Sequence, residues 1–237
     1  MDLNKIDQKI PKIIIQTYKT NKLPNYYEKI VDNNLKLNPD YEYMFFNDNE
    51  CLEFIENNYD KRTLDAYKKI NPKYGACKAD FFRYCAMYKY GGIYLDIKSK
   101  INESLDNLIK KDDEFILSHW KKNPWSKYVG LEKGEFQNWH ILCIPKHPFL
   151  KEVINDIIIN IENYSLKEYP PSKKSVLFLT GPIQYTRSII PLLNNYKHRI
   201  CKENNCNKIL EYSKNNIHVE IEGDNHYSKQ KEEIIII

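Results

Sequence analysis

Glycine is scarce in this chain. It accounts for only 7 of the 237 residues, and two of these, Gly91 and Gly92, are adjacent. Glycine reaches backbone conformations that are closed to residues with a side chain. In a chain that uses so few glycines, an adjacent pair indicates a point where the backbone itself needs that freedom.

Cysteine is sparse too, with 6 residues in a chain long enough for one full core. This is unlike a small disulfide-rich scaffold, so we expect reduced thiols in a cytosolic protein. One cluster in the sequence, His198, Cys201 and Cys206, suggests zinc. Its spacing matches no common zinc site and a fourth ligand is not obvious, so zinc is not favoured.

Long apolar runs are missing as well. No stretch approaches the ~20 apolar residues of a membrane-spanning helix, and the apolar tail at 234–237 is far too short. The first ten residues are polar and charged, unlike a secretory signal peptide. The expectation is a soluble, cytoplasmic protein without a transmembrane segment.

The chain is extreme neither in net charge nor in hydrophobic content. Net charge is +4, hydrophobic residues make up 42% and charged residues 29%, as in an ordinary globular protein. Lysine and tyrosine are interleaved, which keeps a nucleic-acid-binding protein open as an alternative. The absence of a continuous basic stripe argues against it, and the mild positive excess suits a phosphorylated ligand.

Strand and helix patterns alternate along the chain. Such alternation predicts one α/β domain over 1–237 with a parallel, nucleotide-binding type of sheet. Asp48 is the expected N-cap of the second helix. Strands are predicted at 11–17, 41–46, 93–95, 115–118, 136–144, 208–210 and 217–221, and helices at 25–37, 48–59, 61–70, 76–90 and 149–164.

The stretch Cys77–Lys100 organises the rest of the pattern. Its first part has helical spacing of apolar residues, and Gly91 and Gly92 then end the helix. A short buried strand, Ile93–Leu95, follows and leads directly to Asp96. Ligands of open α/β sheets bind beyond the carboxyl ends of strands, so Asp96 lies where a ligand is expected.

Two pairs in this stretch are candidate ligand contacts. Asp80 and Arg83 are three residues apart on a helix and so can meet, either as a surface ion pair or as a grip on sugar hydroxyls and phosphate. Tyr94 and Asp96 share one face of a strand, where Asp96 either caps a turn or contacts a ligand. The functional alternative is favoured for Asp80 and Arg83 because the run YGGIYLD lies beside them. It is favoured for Asp96 because the apolar helix before the strand makes this a buried sheet exit.

The motifs carry a resemblance to a known family. The Asp-x-x-Arg pair of Asp80 and Arg83, together with YGGIYLD at Tyr90–Asp96, resembles the sugar-binding DxD region of family 32 glycosyltransferases. The chain departs from that family at Lys98, where a second acid is usual. The segment Ile10–Tyr18 is similar to the family's N-terminal signature, with Tyr18 in place of a tryptophan.

The resemblance implies a GT-A type fold: a Rossmann-like, mostly parallel central sheet flanked by helices. It implies transfer of a hexose from a nucleotide diphosphate sugar, with a UDP-sugar favoured and a GDP-sugar possible, to a glycan, protein or lipid-linked hydroxyl. Retention of the anomeric configuration is implied too. With no carboxylate identifiable as a covalent nucleophile, front-side transfer assisted by the diphosphate is the more economical mechanism.

Site residues follow from the same resemblance. Tyr18 is expected to stack on the base or, alternatively, merely to cover the sheet edge. Expected catalytic residues are Asp80, Arg83 and Asp96; expected donor contacts are Thr17, Tyr18, Asp80, Arg83, Tyr94, Asp96 and Lys98; expected acceptor-side or supporting residues are Asn138, Gly181 and Pro182.

The implied cofactor is a divalent cation, Mn²⁺ or Mg²⁺, with Asp96 and His226 as its protein ligands. Lys98 leaves two alternatives open. On an extended segment it shares a face with Asp96 and its ammonium substitutes for part of the metal; if the chain bends, Asp96 and a C-terminal group such as Asp224, Asn225 or His226 hold the cation. The second is favoured.

Three further expectations concern the surroundings. Residues 121–134 have the composition of a mobile loop over a site. His140 is expected to be an ordinary packed histidine. The missing second acid leaves one more functional alternative, a catalytically inactive nucleotide-sugar-binding protein.

Overall fold

The computed structural model describes residues 8–201, 206, 208–212 and 229–236. Within this part of the chain, a six-stranded sheet has the order β2-β1-β3-β6-β5-β7, and a two-stranded sheet joins β4 to β8. The strands are β1 Ile13–Thr17, β2 Glu42–Phe46, β3 Gly92–Leu95, β4 Lys100–Ile101, β5 Phe115–Leu117, β6 His140–Cys143, β7 Arg199–Ile200 and β8 Leu210–Glu211.

Helices flank the large sheet, as the alternating pattern predicts. They are α1 Asn25–Lys36, α2 Asp48–Asn58, α3 Lys61–Lys69, α4 Gly75–Tyr90, α5 Pro148–Glu162, α6 Lys173–Leu179 and α7 Pro182–Ile189. The N-cap of α2 is Asn47 rather than Asp48. The Asn47 side chain accepts the backbone N–H of Glu50, and the Glu50 carboxylate accepts the N–H of Asn47 in return, a complete capping box.

The sheet is parallel in its first half and mixed in its second. β1 pairs in parallel with both β2 and β3, whereas β6 runs antiparallel to both β3 and β5. The parallel pairings confirm the predicted mostly parallel central sheet. The antiparallel β6 brings the residues that precede it, including Asn138 and Trp139, to the same edge of the sheet as the end of β3.

Alternation along the strands divides the core into two layers. On β3, Tyr94 packs into the layer formed by helices α2 to α7, while Ile93 packs into the opposite layer with β4 and β8. Both residues are almost fully buried. A strand buried on both faces is typical of a sheet covered by helices or loops on each side.

The glycine pair makes the turn between α4 and β3. Gly91 has φ of 65° and Gly92 has φ of 88°, both in the region that favours glycine. A Cβ on Gly92 would lie 2.6 Å from the carbonyl oxygen of Ile13 on β1. The two glycines therefore allow β3 to pair closely with β1 directly after the helix.

The expectation of reduced cysteines is wrong for one pair. Cys201 and Cys206 form a disulfide, since their Cα atoms lie 6.0 Å apart, within bridging distance. Two of the three candidate zinc ligands are thus bonded to each other. The other cysteines, Cys51, Cys77, Cys85 and Cys143, are free and buried. Disulfides persist in oxidising compartments, so cysteine content does not support a cytosolic location.

Residues 121–134 are fixed by internal bonds rather than lying as an open loop. Ser126 is buried, accepts the N–H of Asn123 and donates to Glu135, and Gly134 has a positive φ of 96°. The predicted late strand at 217–221 lies outside the described residues. No helix in the described ranges is long and apolar enough to cross a membrane.

Substituting Gly92 with alanine is expected to destabilise the fold by about 2 kcal/mol or more, because the added Cβ meets the Ile13 carbonyl at an unfavourable φ. Gly75→Ala is the matched control, since a Cβ there meets nothing within 4 Å. Urea unfolding measures both free energies. Equal stability of the two variants would contradict the proposed packing of β3 on β1.

Candidate active site

The carboxyl ends of β1 and β3 open into a pocket of about 790 Å³. The start of α4 and the segments before β6 and α7 complete its walls. Most of the predicted site residues line it: Thr17, Tyr18, Asp80, Arg83, Tyr94, Asp96, Lys98, Asn138 and Pro182. Gly181 is not among the lining residues, and none of residues 121–134 lines the pocket.

Arg83 lies at the centre of the pocket floor. One guanidinium nitrogen, Nη2, lies 3.2 Å from Asp80 Oδ1 and 3.1 Å from Asp96 Oδ1. The other, Nη1, donates to the Asn138 carbonyl at 2.7 Å. Burial by itself lowers the pKa of the guanidinium, but Asp96 and the other acidic groups outweigh it, so the pKa is raised and Arg83 stays charged.

Asp80 is held on both of its oxygens. Oδ1 accepts the side-chain amide of Asn138 at 3.1 Å, and Oδ2 accepts the hydroxyl of Thr180 at 3.2 Å. Burial raises the pKa of this carboxyl to about 7, opposing the lowering effect of Arg83. The surface-ion-pair alternative for Asp80 and Arg83 is wrong, since their exposed fractions are 7% and 6%.

Of the two carboxylates that contact Arg83, Asp96 is the more accessible. Its side chain keeps 21% exposure, against 9% for the Asp80 side chain. The hydroxyl of Tyr94 donates to Asp96 Oδ1 at 3.4 Å, and the Tyr94 ring lies 4.7 Å below the Arg83 guanidinium. Oδ1 of Asp96 is therefore fixed by two donors, Tyr94 and Arg83, while part of the carboxylate faces the pocket.

Two supporting residues were missed from the sequence. Tyr84 accepts the Asn138 amide at 2.8 Å and donates to the Thr180 carbonyl at 3.0 Å, so it links the two residues that hold Asp80. Burial raises the pKa of Tyr84, which keeps its hydroxyl protonated. Their positions in the chain gave a signal, because Tyr84 follows Arg83 and Thr180 precedes Gly181, and both of those neighbours were predicted as site residues.

Thr17 and Tyr18 lie at the end of β1. The Thr17 hydroxyl donates to the Phe46 carbonyl at 2.8 Å, so it is engaged by β2. The ring of Tyr18 meets that of Tyr27 edge-on at 5.6 Å and lines the pocket. Base stacking on Tyr18 stays a prediction.

The chain bends after Asp96. The backbone N–H of Ser99 donates to the Asp96 carbonyl at 2.8 Å, which closes a turn over Asp96–Ser99. The extended alternative for Lys98 is therefore wrong. Its ammonium lies 4.6 Å from the centre of the Tyr212 ring and still lines the pocket.

The described residues supply only part of a cation site. Within them, no three His, Cys, Asp or Glu side chains come together in a group suited to a metal. Asp96 and the exposed Asp48 at the start of α2 both line the pocket, and Oδ1 of Asp96 already contacts Arg83. The predicted ligand His226, with Asp224 and Asn225, lies outside the described residues.

His140 is a packed histidine, as expected. Its ring is buried and shares a hydrogen bond of 2.8 Å with the Ser118 hydroxyl. Burial lowers the pKa of His140 to about 3, so the ring is neutral at physiological pH. It does not line the pocket.

Arg83→Lys is expected to lower the free energy of unfolding by at least about 2 kcal/mol, because one ammonium cannot serve two carboxylates and a carbonyl in a buried position. The matched control is Arg62→Lys, which changes an exposed arginine with two bonds to Glu162 and should leave stability almost unchanged. Urea denaturation compares them, and equal losses would contradict the buried network.

Comparison with known proteins agrees with this geometry. Residues 24–116 match the family model described as the glycosyltransferase sugar-binding region containing a DXD motif. This range includes Asp80, Arg83 and Asp96, which form the pocket floor.

Several curated relatives are yeast mannosyltransferases by name. Inositol phosphoceramide mannosyltransferase 3 of Schizosaccharomyces pombe is 32% identical over 176 residues, covering 73% of this chain and 43% of the relative. The initiation-specific α-1,6-mannosyltransferase of Candida albicans is 30% identical over 211 residues, covering 78% of this chain and 54% of the relative. The chain thus spans about half the length of these relatives.

Solved structures show the same fold. The PaToxG glycosyltransferase aligns with a TM-score of 0.58 at 18% identity, over 79% of this chain and 72% of that one. The UDP-bound glycosyltransferase domain of the YGT toxin also aligns at 0.58, with 10% identity, over 87% and 82%. The fold is GT-A, and the chain is a relative of the family 32 glycosyltransferases that carries their DXD sugar-binding region.

Proposed function

We propose that this chain transfers a hexose from a nucleoside diphosphate sugar to a hydroxyl group. Mannose is the sugar that the names of the curated relatives indicate. The observation that most supports this proposal is the position of Asp96. Its carboxylate faces the pocket at the end of β3, and its Oδ1 lies 3.1 Å from the Arg83 guanidinium.

Asp96 is the residue that we expect to touch the donor. A carboxylate accepts hydrogen bonds from ribose or sugar hydroxyls, and this one is ordered before any ligand arrives. Asp80 acts differently, because Arg83, Asn138 and Thr180 already use both of its oxygens. We assign Asp80, and Asn138 with it, to positioning Arg83 rather than to the sugar or acceptor.

Stabilising the departing diphosphate is the main catalytic task. Negative charge develops on it as the bond to the sugar breaks, and fixed cations near that charge lower the barrier. Arg83 precedes Asp96 in the sequence and Lys98 follows it, and both residues line the pocket. The family resemblance implies front-side transfer with retained configuration, in which the diphosphate rather than a protein carboxylate assists the incoming hydroxyl.

Asp96 is the protein ligand that we propose for a divalent cation. Hard oxygen ligands hold Mn²⁺ or Mg²⁺. Three carboxylates line the pocket, Asp48, Asp80 and Asp96, and of these Asp96 lies at the strand exit and is not held on both oxygens. When bound, the cation would neutralise diphosphate charge. The described residues do not complete its site, so the roles given above to Arg83 and Lys98 do not depend on it.

The acceptor is a hydroxyl on a glycan, a protein or a lipid-linked molecule. Pro182, at the start of α7, lines the pocket and remains the proposed acceptor-side residue. A second candidate function, a catalytically inactive nucleotide-sugar binder, is favoured by one observation, the lysine at position 98, where a DXD motif would have its second acid. Release of free hexose from the donor distinguishes the two.

Asp96→Asn is expected to lower sugar transfer and donor hydrolysis by roughly 10²–10³-fold, because it removes a contact that acts where charge develops. Both UDP- and GDP-hexoses are assayed, with products separated by chromatography. Asp65→Asn on α3 is the control, since Asp65 forms an exposed pair with Lys61. Near-full activity of Asp96→Asn would refute the site, whereas a wild type that binds donor without turning it over would establish the inactive binder.

Lys98→Ala tests the cation independently. We expect the wild type and Lys98→Ala both to bind the nucleoside diphosphate together with Mn²⁺. We also expect chelation of the metal to suppress sugar transfer in both proteins. Titration calorimetry with and without Mn²⁺ gives a readout besides activity. Chelator-resistant transfer in the wild type that disappears in Lys98→Ala would contradict this and establish the ammonium as the substitute for the cation.

A further inference from the structure

A cluster of cations and aromatic rings joins α6, α7 and the segment before β6. The ammonium groups of Lys127 and Lys174 lie 5.1 and 5.2 Å from the centre of the Tyr128 ring. The guanidinium of Arg187 lies 4.8 Å from the centre of the Phe178 ring, and the two rings lie 4.9 Å apart, edge to face. These five residues define the basic-aromatic patch.

The patch is part of a strongly positive surface. Residues 121–134 and 173–187 together hold seven Lys and Arg against one Glu, a net charge of +6 in a chain whose total is +4. All seven cations are exposed. The rest of the chain is therefore net negative, and the positive charge is concentrated in two segments that meet in the fold.

Surface lysines elsewhere are partly paired with acids and partly, like Lys29 and Lys36, unpaired in the described ranges; the seven cations are distinguished by being gathered in two adjacent segments. Elsewhere, lysines such as Lys9, Lys12 and Lys61 form ion pairs with acidic side chains. In the described ranges, none of the seven cations forms a salt bridge. Gathering like charges without acidic neighbours costs repulsion, which an external anionic surface would relieve.

The patch adjoins the mouth of the sugar pocket. Leu177 lines the pocket, and it lies three residues from Lys174 and next to Phe178 on α6. Residues three and four apart share a helix face, so one face of this short helix belongs to both features. Whatever covers the patch therefore lies beside the opening through which an acceptor enters.

We propose that the basic-aromatic patch docks this protein on an anionic membrane surface, with the pocket mouth facing the lipid headgroups. Basic side chains near a bilayer are attracted by anionic lipids, and amphipathic aromatic rings favour the interfacial region. RNA also suits cations beside aromatic rings, because bases stack on open ring faces. Here cations already lie over both rings, Lys127 and Lys174 over Tyr128 and Arg187 over Phe178, which leaves less ring face for a base and favours a membrane surface. Docking would bring acceptors carried by the membrane to the site.

The test is sedimentation of the full chain with vesicles. One set contains phosphatidylcholine only, and in the other about a third of the lipid is anionic phosphatidylserine. The expected result is binding to the anionic vesicles that weakens as salt increases, with little binding to the neutral ones. Lys127→Glu/Lys174→Glu should reduce that binding by roughly tenfold or more.

The matched control is Lys29→Glu/Lys36→Glu, which makes the same change in net charge at two exposed positions on α1. It should bind vesicles almost like the wild type. Equal binding to both vesicle types, equal loss in the two double variants, or binding to RNA without binding to vesicles would overturn the proposal. Thermal unfolding confirms that both variants fold, and because no sugar transfer is measured, failure here leaves the proposed function untouched.

Discussion

The buried guanidinium of Arg83 is the interaction on which the site depends. It contacts two carboxylates and a backbone carbonyl from three different segments: α4, the end of β3 and the residues before β6. A charge with this little exposure is stable only when its hydrogen bonds are satisfied, so the three segments have to meet at one place. The same arrangement leaves Asp96 ordered, partly exposed and facing the pocket.

The fold delivers those three segments through a few local devices. Gly91 and Gly92 turn the chain at once from α4 into β3, so Asp80 and Arg83 on the helix and Asp96 after the strand belong to one continuous helix-turn-strand unit. The antiparallel direction of β6 brings Asn138 to the end of β3. The turn between α6 and α7 adds Thr180. Each carboxylate is thus positioned by backbone geometry before a ligand binds.

Local sequence predicted the parts of this site that are local. The α4–Gly–Gly–β3 module and Asp96 at the strand exit follow from helical spacing, glycine conformation and strand length within one stretch. Spacing alone did not show that Asp80 and Arg83 point inward, since a surface pair has the same spacing; the motif resemblance favoured it. The role of Asn138, the bend at Lys98, the antiparallel β6 and the Cys201–Cys206 disulfide depend on contacts between distant segments or on turn closure, which periodicity does not report.

The most direct measurement is a double-mutant cycle between Arg83 and Asp96. Arg83→Met and Asp96→Asn are made singly and together, and the free energy of unfolding of each is obtained by urea denaturation. If the guanidinium holds Asp96 as described, the two substitutions are coupled by about 1–3 kcal/mol. Additive effects, within ~0.5 kcal/mol, would show that the two residues do not act together and would contradict the account.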